Sequence, residues 1–117
     1  MANVNAYNTK TLGTATGQGD GTTTYTFSMD SYSFWTVQIE DTAGGAGTNT
    51  YTIEASVDES TYQDITSSFF GVASVTGDNT LVCDTPSPFK LVKVKIVRTG
   101  DGGAKDGGWT VTVKRSA

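Results

Sequence analysis

From Thr22 onward, apolar side chains recur at every second residue in segment after segment, and no stretch of 11 residues or more repeats at the 3.6-residue helical period. A period of two places successive side chains on opposite faces of an extended chain, so such segments are strands with one face buried. In TTTYTFSM, Tyr25, Phe27 and Met29 share a face. Trp35, Val37 and Ile39 do so in SFWTVQIED; Tyr51, Ile53, Ala55 and Val57 do so in TYTIEASVD. In FKLVKVKIVRT, Val92, Val94 and Ile96 face one way, opposed by Leu91, Lys93, Lys95 and Val97. Trp109, Val111 and Val113 point inward in the closing segment.

Turn residues separate these segments at roughly ten-residue intervals, the spacing of an all-β sandwich or barrel. GQGDG (17–21) and DSYS (30–33) read as turns, GDN (77–79) as a hairpin turn, and TAGGAGTN (42–49) as the Gly-rich tip of a hairpin. Gly71 interrupts the apolar run FFGVASV, which suggests a bulge or a close backbone approach there. Pro86 and Pro88 fit a connection and not a central strand. Composition agrees: 21 of the 117 residues are Thr and 14 are Gly. The β-branched Thr side chain suits a half-buried pleated surface. The expected fold is a single-domain antiparallel β-sandwich or jelly roll of eight or nine short strands over residues 9–117, preceded by an N-terminal arm over residues 1–8.

Charge is low and unevenly placed. Residues 1–89 sum to −9 and residues 90–117 to +5, for a net of −4. Either acidic and basic strands pair within one sheet, or the two regions meet on neighbouring subunits. Cys83 is the only cysteine, so the fold does not rely on an intramolecular disulfide. MANVNAYNTK lacks the apolar core of a signal peptide, and no apolar run approaches a membrane span. The expectation is a protein made in a cytoplasm, with no membrane partner.

The chain has no histidine, which removes the commonest general base and metal ligand. With one cysteine, the usual zinc ligand sets are also excluded. Carboxylates cluster in sequence (Glu40, Asp41, Glu54, Asp58, Glu59, Asp64), and two of them could converge as a glycosidase pair. Solvated carboxylates on strand faces and turns are far commoner. The loops around Asp20 and around Asp101 and Asp106 resemble calcium loops only in Asp-Gly content, without the spaced ligands and distal Glu. The Lys90–Arg98 stretch lacks interleaved aromatics, which argues against nucleic acid. The expectation is therefore a non-enzymatic binding protein with no cofactor and no metal. Tyr32, Phe34 and Tyr62 fall near turns, and Lys93 and Lys95 project from a strand face. These five are the candidate partner or glycan contacts.

One likeness extends over residues 33–115. SFWTVQIED, a Gly loop, TYTIEASVDESTYQDI, LVKVKIVRT and WTVTVKR resemble small β-sandwich structural proteins of tailed bacteriophages. The likeness is carried by Ser56 and Asp58, Tyr62 and Ile65, Lys93 to Ile96, and Val111 to Val113. It implies a virion protein, foremost a homo-oligomeric capsid decoration or cement protein bound to the major capsid protein or other virion proteins. Neck, tail or fibre parts and carbohydrate-binding modules share the same architecture.

Overall fold

The computed structural model describes residues 7–117 other than 43, 44 and 46. Most of the expected N-terminal arm, residues 1–6, lies outside the described residues; Tyr7 and Asn8 already belong to the first strand. Eight strands follow in order: β1 (Tyr7–Gln18), β2 (Gly21–Ser28), β3 (Phe34–Asp41), β4 (Thr48–Ser56), β5 (Gln63–Asp64), β6 (Asn79–Cys83), β7 (Leu91–Thr99) and β8 (Gly107–Ser116). One short helix, α1 (Thr66–Phe70), joins β5 to β6.

The strands form two four-stranded antiparallel sheets, ordered β1-β8-β3-β6 and β2-β7-β4-β5. This is the eight-stranded jelly roll, in which the chain passes back and forth between two packed sheets. All the connections but β4–β5 change sheet. The Gly-rich segment after β3 is thus not a hairpin tip: β3 and β4 lie in different sheets. Nor does the 77–79 turn close a hairpin, since β6 pairs with β3. A turn signal marks where the chain reverses and leaves open which strand it pairs with next.

The core fills the space between the sheets as alternation requires. Trp35, Val37 and Ile39 of β3, Tyr51 and Ile53 of β4, Val92, Val94 and Ile96 of β7, and Trp109, Val111 and Val113 of β8 are all buried. Phe27, Trp35 and Phe70 meet edge to face, with centroids 5.8 and 5.7 Å apart, the arrangement the ring quadrupoles favour. Val57 departs from the expected pattern: it is 57% exposed. β4 ends at Ser56, and Asp58 takes the backbone N–H groups of Ser60 and Thr61 at 3.0 and 2.8 Å, which turns the chain out of the sheet.

Gly71 is a helix cap and not a bulge. It adopts a left-handed conformation (φ 75°) and donates its N–H to the Ser67 carbonyl at 3.0 Å, closing α1. A single helical turn is too short to show a 3.6 period. The outer side of β4 is covered by β5, by Val75 bridging Tyr51, and by Thr66. The Thr66 hydroxyl accepts from Ile53 N–H (2.8 Å) and donates to Ile53 C=O (3.3 Å), doing for β4 what a neighbouring strand would do.

The charge asymmetry follows strand order. In one sheet the basic β7 lies beside β4, where Glu54 sits opposite Lys93 in register and 3.9 Å from Lys95. Lys93 and Lys95 therefore decorate the face of an interior strand and not an edge.

Candidate functional site

A cleft of about 450 Å³ opens at one end of the sandwich. It is built from three connections: β2–β3 (29–33), β4–β5 (57–62) and β6–β7 (84–90). Tyr32, Pro88 and Phe89 supply its apolar surface; Asp30, Glu59 and Lys90 supply its charges. Backbone hydrogen bonds tie the first and third of these connections together and anchor the third to the end of β4. Met29 N–H donates to Lys90 C=O (2.9 Å), Lys90 N–H to Ser56 C=O (2.8 Å), and Ser87 N–H to Ser33 C=O (2.8 Å). Asp58 braces the β4–β5 loop from within. The N–H groups of Thr61 and Ser60 and the Ser56 hydroxyl hold its carboxyl well below the usual range.

Arg115 supports the cleft from below. Its guanidinium binds the Ser28 carbonyl, lies 3.2 Å from Asp30, and sits over the Tyr32 ring at 4.9 Å. Asp30 in turn accepts the Ser28 hydroxyl at 2.7 Å. At the rim, Lys90 stands 3.6 Å from Glu59, with both side chains exposed. Asp30 (φ 48°) and Glu59 (φ 69°) occupy left-handed backbone conformations, uncommon for residues other than glycine.

The five residues singled out from sequence separate into distinct places. Tyr32 lines the cleft. Phe34, at the start of β3, is half-buried. Tyr62 does not line the cleft; Lys93 lies 3.8 Å from the centre of its ring, on the outer face of the β2-β7-β4-β5 sheet. Lys95 shares that face with Glu54. Asp30 and Arg115 carry no functional expectation from sequence, and Glu59 and Lys90 enter the sequence reading only within the carboxylate cluster and the basic stretch. Arg115 had a signal: it continues the inward phase of Val111 and Val113.

The opposite end of the sandwich is closed by a buried charge network. Arg98 is 1% exposed. Its Nε donates to Asp101 (2.9 Å), one terminal nitrogen to Asn49 (2.9 Å) and the other to Asp106 (2.6 Å). Asp101 also accepts the Lys105 N–H at 2.7 Å, and its own N–H donates to Asp20 at 2.9 Å. Each of the three guanidinium nitrogens thus has a carboxylate or amide partner, as a buried guanidinium requires. Asp101 and Asp106, weighed above as calcium candidates, are directed onto Arg98. Among the described residues no group of three or more acidic or cysteine side chains gathers to hold a metal ion. The sequence signal was again phase: Arg98 continues the row Val92, Val94, Ile96, and Asn49 precedes Tyr51.

Among the sequence-clustered carboxylates, Glu54 and Asp64 face each other across β4 and β5. Glu54 pairs with Lys95 and Asp64 accepts the Thr66 N–H. Cys83 is buried, and burial pushes its thiol pKa up. No helix of the described residues is long and apolar enough to cross a membrane.

With the two ends and two faces laid out, the architecture can be compared with solved structures. The chain is similar in fold to a mitogen. That protein, the Yersinia pseudotuberculosis-derived mitogen, superposes with a TM-score of 0.57 at 10% sequence identity, over 95% of this chain and 86% of its own. At that identity the likeness concerns the fold alone. No protein-family model matches the sequence, and no curated protein matches it.

Proposed function

We propose that the domain is a non-enzymatic structural protein of a virus particle, acting as a capsid decoration or cement protein that binds the assembled head. The observation that carries this reading is strand β6, an edge of the β1-β8-β3-β6 sheet with no strand on its outer side among the described residues. Strand β6 (NTLVC) has neither Lys nor Pro to blunt it. Val82 is 51% exposed there, and it shares with Phe69 a shallow depression of about 290 Å³. Val72, also exposed, follows α1. An unblunted strand edge flanked by exposed apolar side chains is suited to burial against another protein. The likeness to phage sandwich proteins directs that partner toward the major capsid protein or other virion proteins, including further copies of this chain.

The mechanism is mass action. A protein that binds only the assembled lattice stabilises that lattice by its binding free energy, with no bond made or broken. A neck, tail or fibre position in the same particle would use the same surface and differ in stoichiometry. The deciding experiment is the copy number in gradient-purified particles, by quantitative mass spectrometry against the major capsid protein. A ratio near one per capsid subunit, or a simple fraction, is the expected result. A few copies per particle would move the protein to the neck or tail, and absence from the particle would end the structural reading.

A further inference from the structure

We propose that the end cleft is a binding site for an uncharged sugar, accommodating one or two pyranose rings packed against Tyr32. Its volume, about 450 Å³, falls in the range of small-molecule sites, roughly 300–1,000 Å³. The lining matches the two-sided chemistry of a pyranose. One face of such a ring is a patch of C–H groups, which packs against aromatic and apolar surface. Its rim is a set of hydroxyls, each both donor and acceptor. Tyr32, Pro88 and Phe89 offer the first kind of surface. Asp30 and Glu59 offer acceptors, Lys90 donors, and Ser87 a hydroxyl that can do either.

Charge balance selects the class of ligand. The carboxylates of Asp30 and Glu59 are matched by Lys90 and by Arg115 beneath, so the cleft exerts little net pull on an anion or a cation. Hydroxyls can still bridge the exposed Glu59–Lys90 pair, which keeps unused hydrogen-bonding capacity on both partners. Arg115 covers one face of the Tyr32 ring, so the surface that Tyr32 presents to the cleft is its other face or its edge. The site is also braced before any ligand arrives: backbone hydrogen bonds join the β2–β3 and β6–β7 loops and anchor Lys90 to the end of β4, and Asp58 braces the β4–β5 turn that carries Glu59. Preorganisation of this kind lowers the ordering cost of binding. The left-handed conformations of Asp30 and Glu59 have the same bearing: strained backbone persists where the surroundings over-determine it, and it concentrates at binding sites. The inference stands independently of the particle reading, since copy number tests one and ligand titration the other.

The test is a ¹⁵N chemical-shift titration of the full chain with the methyl pyranosides of glucose, galactose, mannose and N-acetylglucosamine, and with lactose and maltose. At least one probe should give saturable shifts confined to residues 28–32, 57–60 and 85–91, with millimolar affinity. Tyr32→Ala should weaken binding at least tenfold, Tyr32→Phe should retain it, and Asp30→Asn should reduce it. Should Tyr32→Ala not fold, Ser87→Phe fills the cleft from another loop and should abolish the shifts. The proposal is overturned if none of the six probes gives saturable shifts or if the shifts lie elsewhere. It is equally overturned if glucuronate or glucosamine binds where the neutral sugars do not, or if Tyr32→Ala or Ser87→Phe binds like the wild type.

Discussion

Gly13→Ala should be among the most damaging single-methyl changes in this protein, because of what lies over Gly13. A Cβ built there would fall 2.2 Å from Tyr25 Cε1, 2.3 Å from Cζ and 2.6 Å from Cδ1. Gly13 lies on β1 beside a register shift, and Tyr25 on β2, so this contact closes one side of the sandwich between edge strands of the two sheets. The ring cannot move freely: its hydroxyl accepts the Trp109 indole N–H at 3.1 Å, and Trp109 is 2% exposed. Overpacking costs about 1–3 kcal/mol, and stranding a buried N–H costs about 1–3 kcal/mol more. Restricting the unfolded chain returns roughly 0.4–1 kcal/mol. The net is a loss of about 1–5 kcal/mol, or about 4–20 °C in Tm for a domain of this size. Thermal and urea unfolding followed by circular dichroism would measure it. In a Tyr25→Val background the obstructing ring is gone, and the same Gly13→Ala change should cost less than about 0.5 kcal/mol, exposing the pair as coupled. An equal cost in both backgrounds, or a negligible cost in the wild type, would refute the reasoning.

The buried network makes two further predictions. Arg98→Met strands Asp101 and Asn49, and should lower Tm far more than Lys114→Met on the surface; similar melts for the two variants would contradict the network's role. Asp101 has its carboxyl pKa lowered, first by the Lys105 N–H and then by Arg98. Its contribution to stability is thus fully present above about pH 4 and lost as pH falls through the lower folded value. Urea midpoints taken from about pH 6 down to pH 2 should fall less steeply for Asp101→Asn than for the wild type. The Lys93–Tyr62 contact is a surface one, so Lys93→Met should cost only about 0.5–1 kcal/mol; a change in Tm beyond several degrees would mean the strand face matters more than the geometry indicates. Cys83, buried with its thiol pKa pushed up, should react with iodoacetamide at neutral pH far more slowly in the folded protein than in urea, and equal rates would place the thiol at the surface.

Which face is buried was legible residue by residue in β2, β3, β4, β7 and β8, because a period of two forces alternate side chains to opposite sides. Trp35, Val37 and Ile39, or Val92, Val94 and Ile96, needed no tertiary information to be placed inside. Phase even carried further than the apolar residues. Arg98, Asn49 and Arg115 continue inward rows past the last hydrophobic residue, and the structure puts the first two in a polar layer closing one end of the core. Where the phase failed, at Val57, a side-chain-braced turn had already taken the chain out of the sheet.

Strand neighbours and the cleft were decided only by the tertiary structure. Alternation specifies a face and says nothing about which strand lies beside it. The Gly-rich turns were visible, yet whether each joins partners or crosses between sheets depends on how two hydrophobic faces find one another over long sequence separations. The cleft shows the same limit. Its residues come from positions 28–32, 59 and 87–91, with Arg115 beneath, and no local pattern links them. They meet because the jelly roll brings alternate connections to the same end of the sandwich, where backbone hydrogen bonds join two of the loops to each other and to the end of β4, from which the third begins.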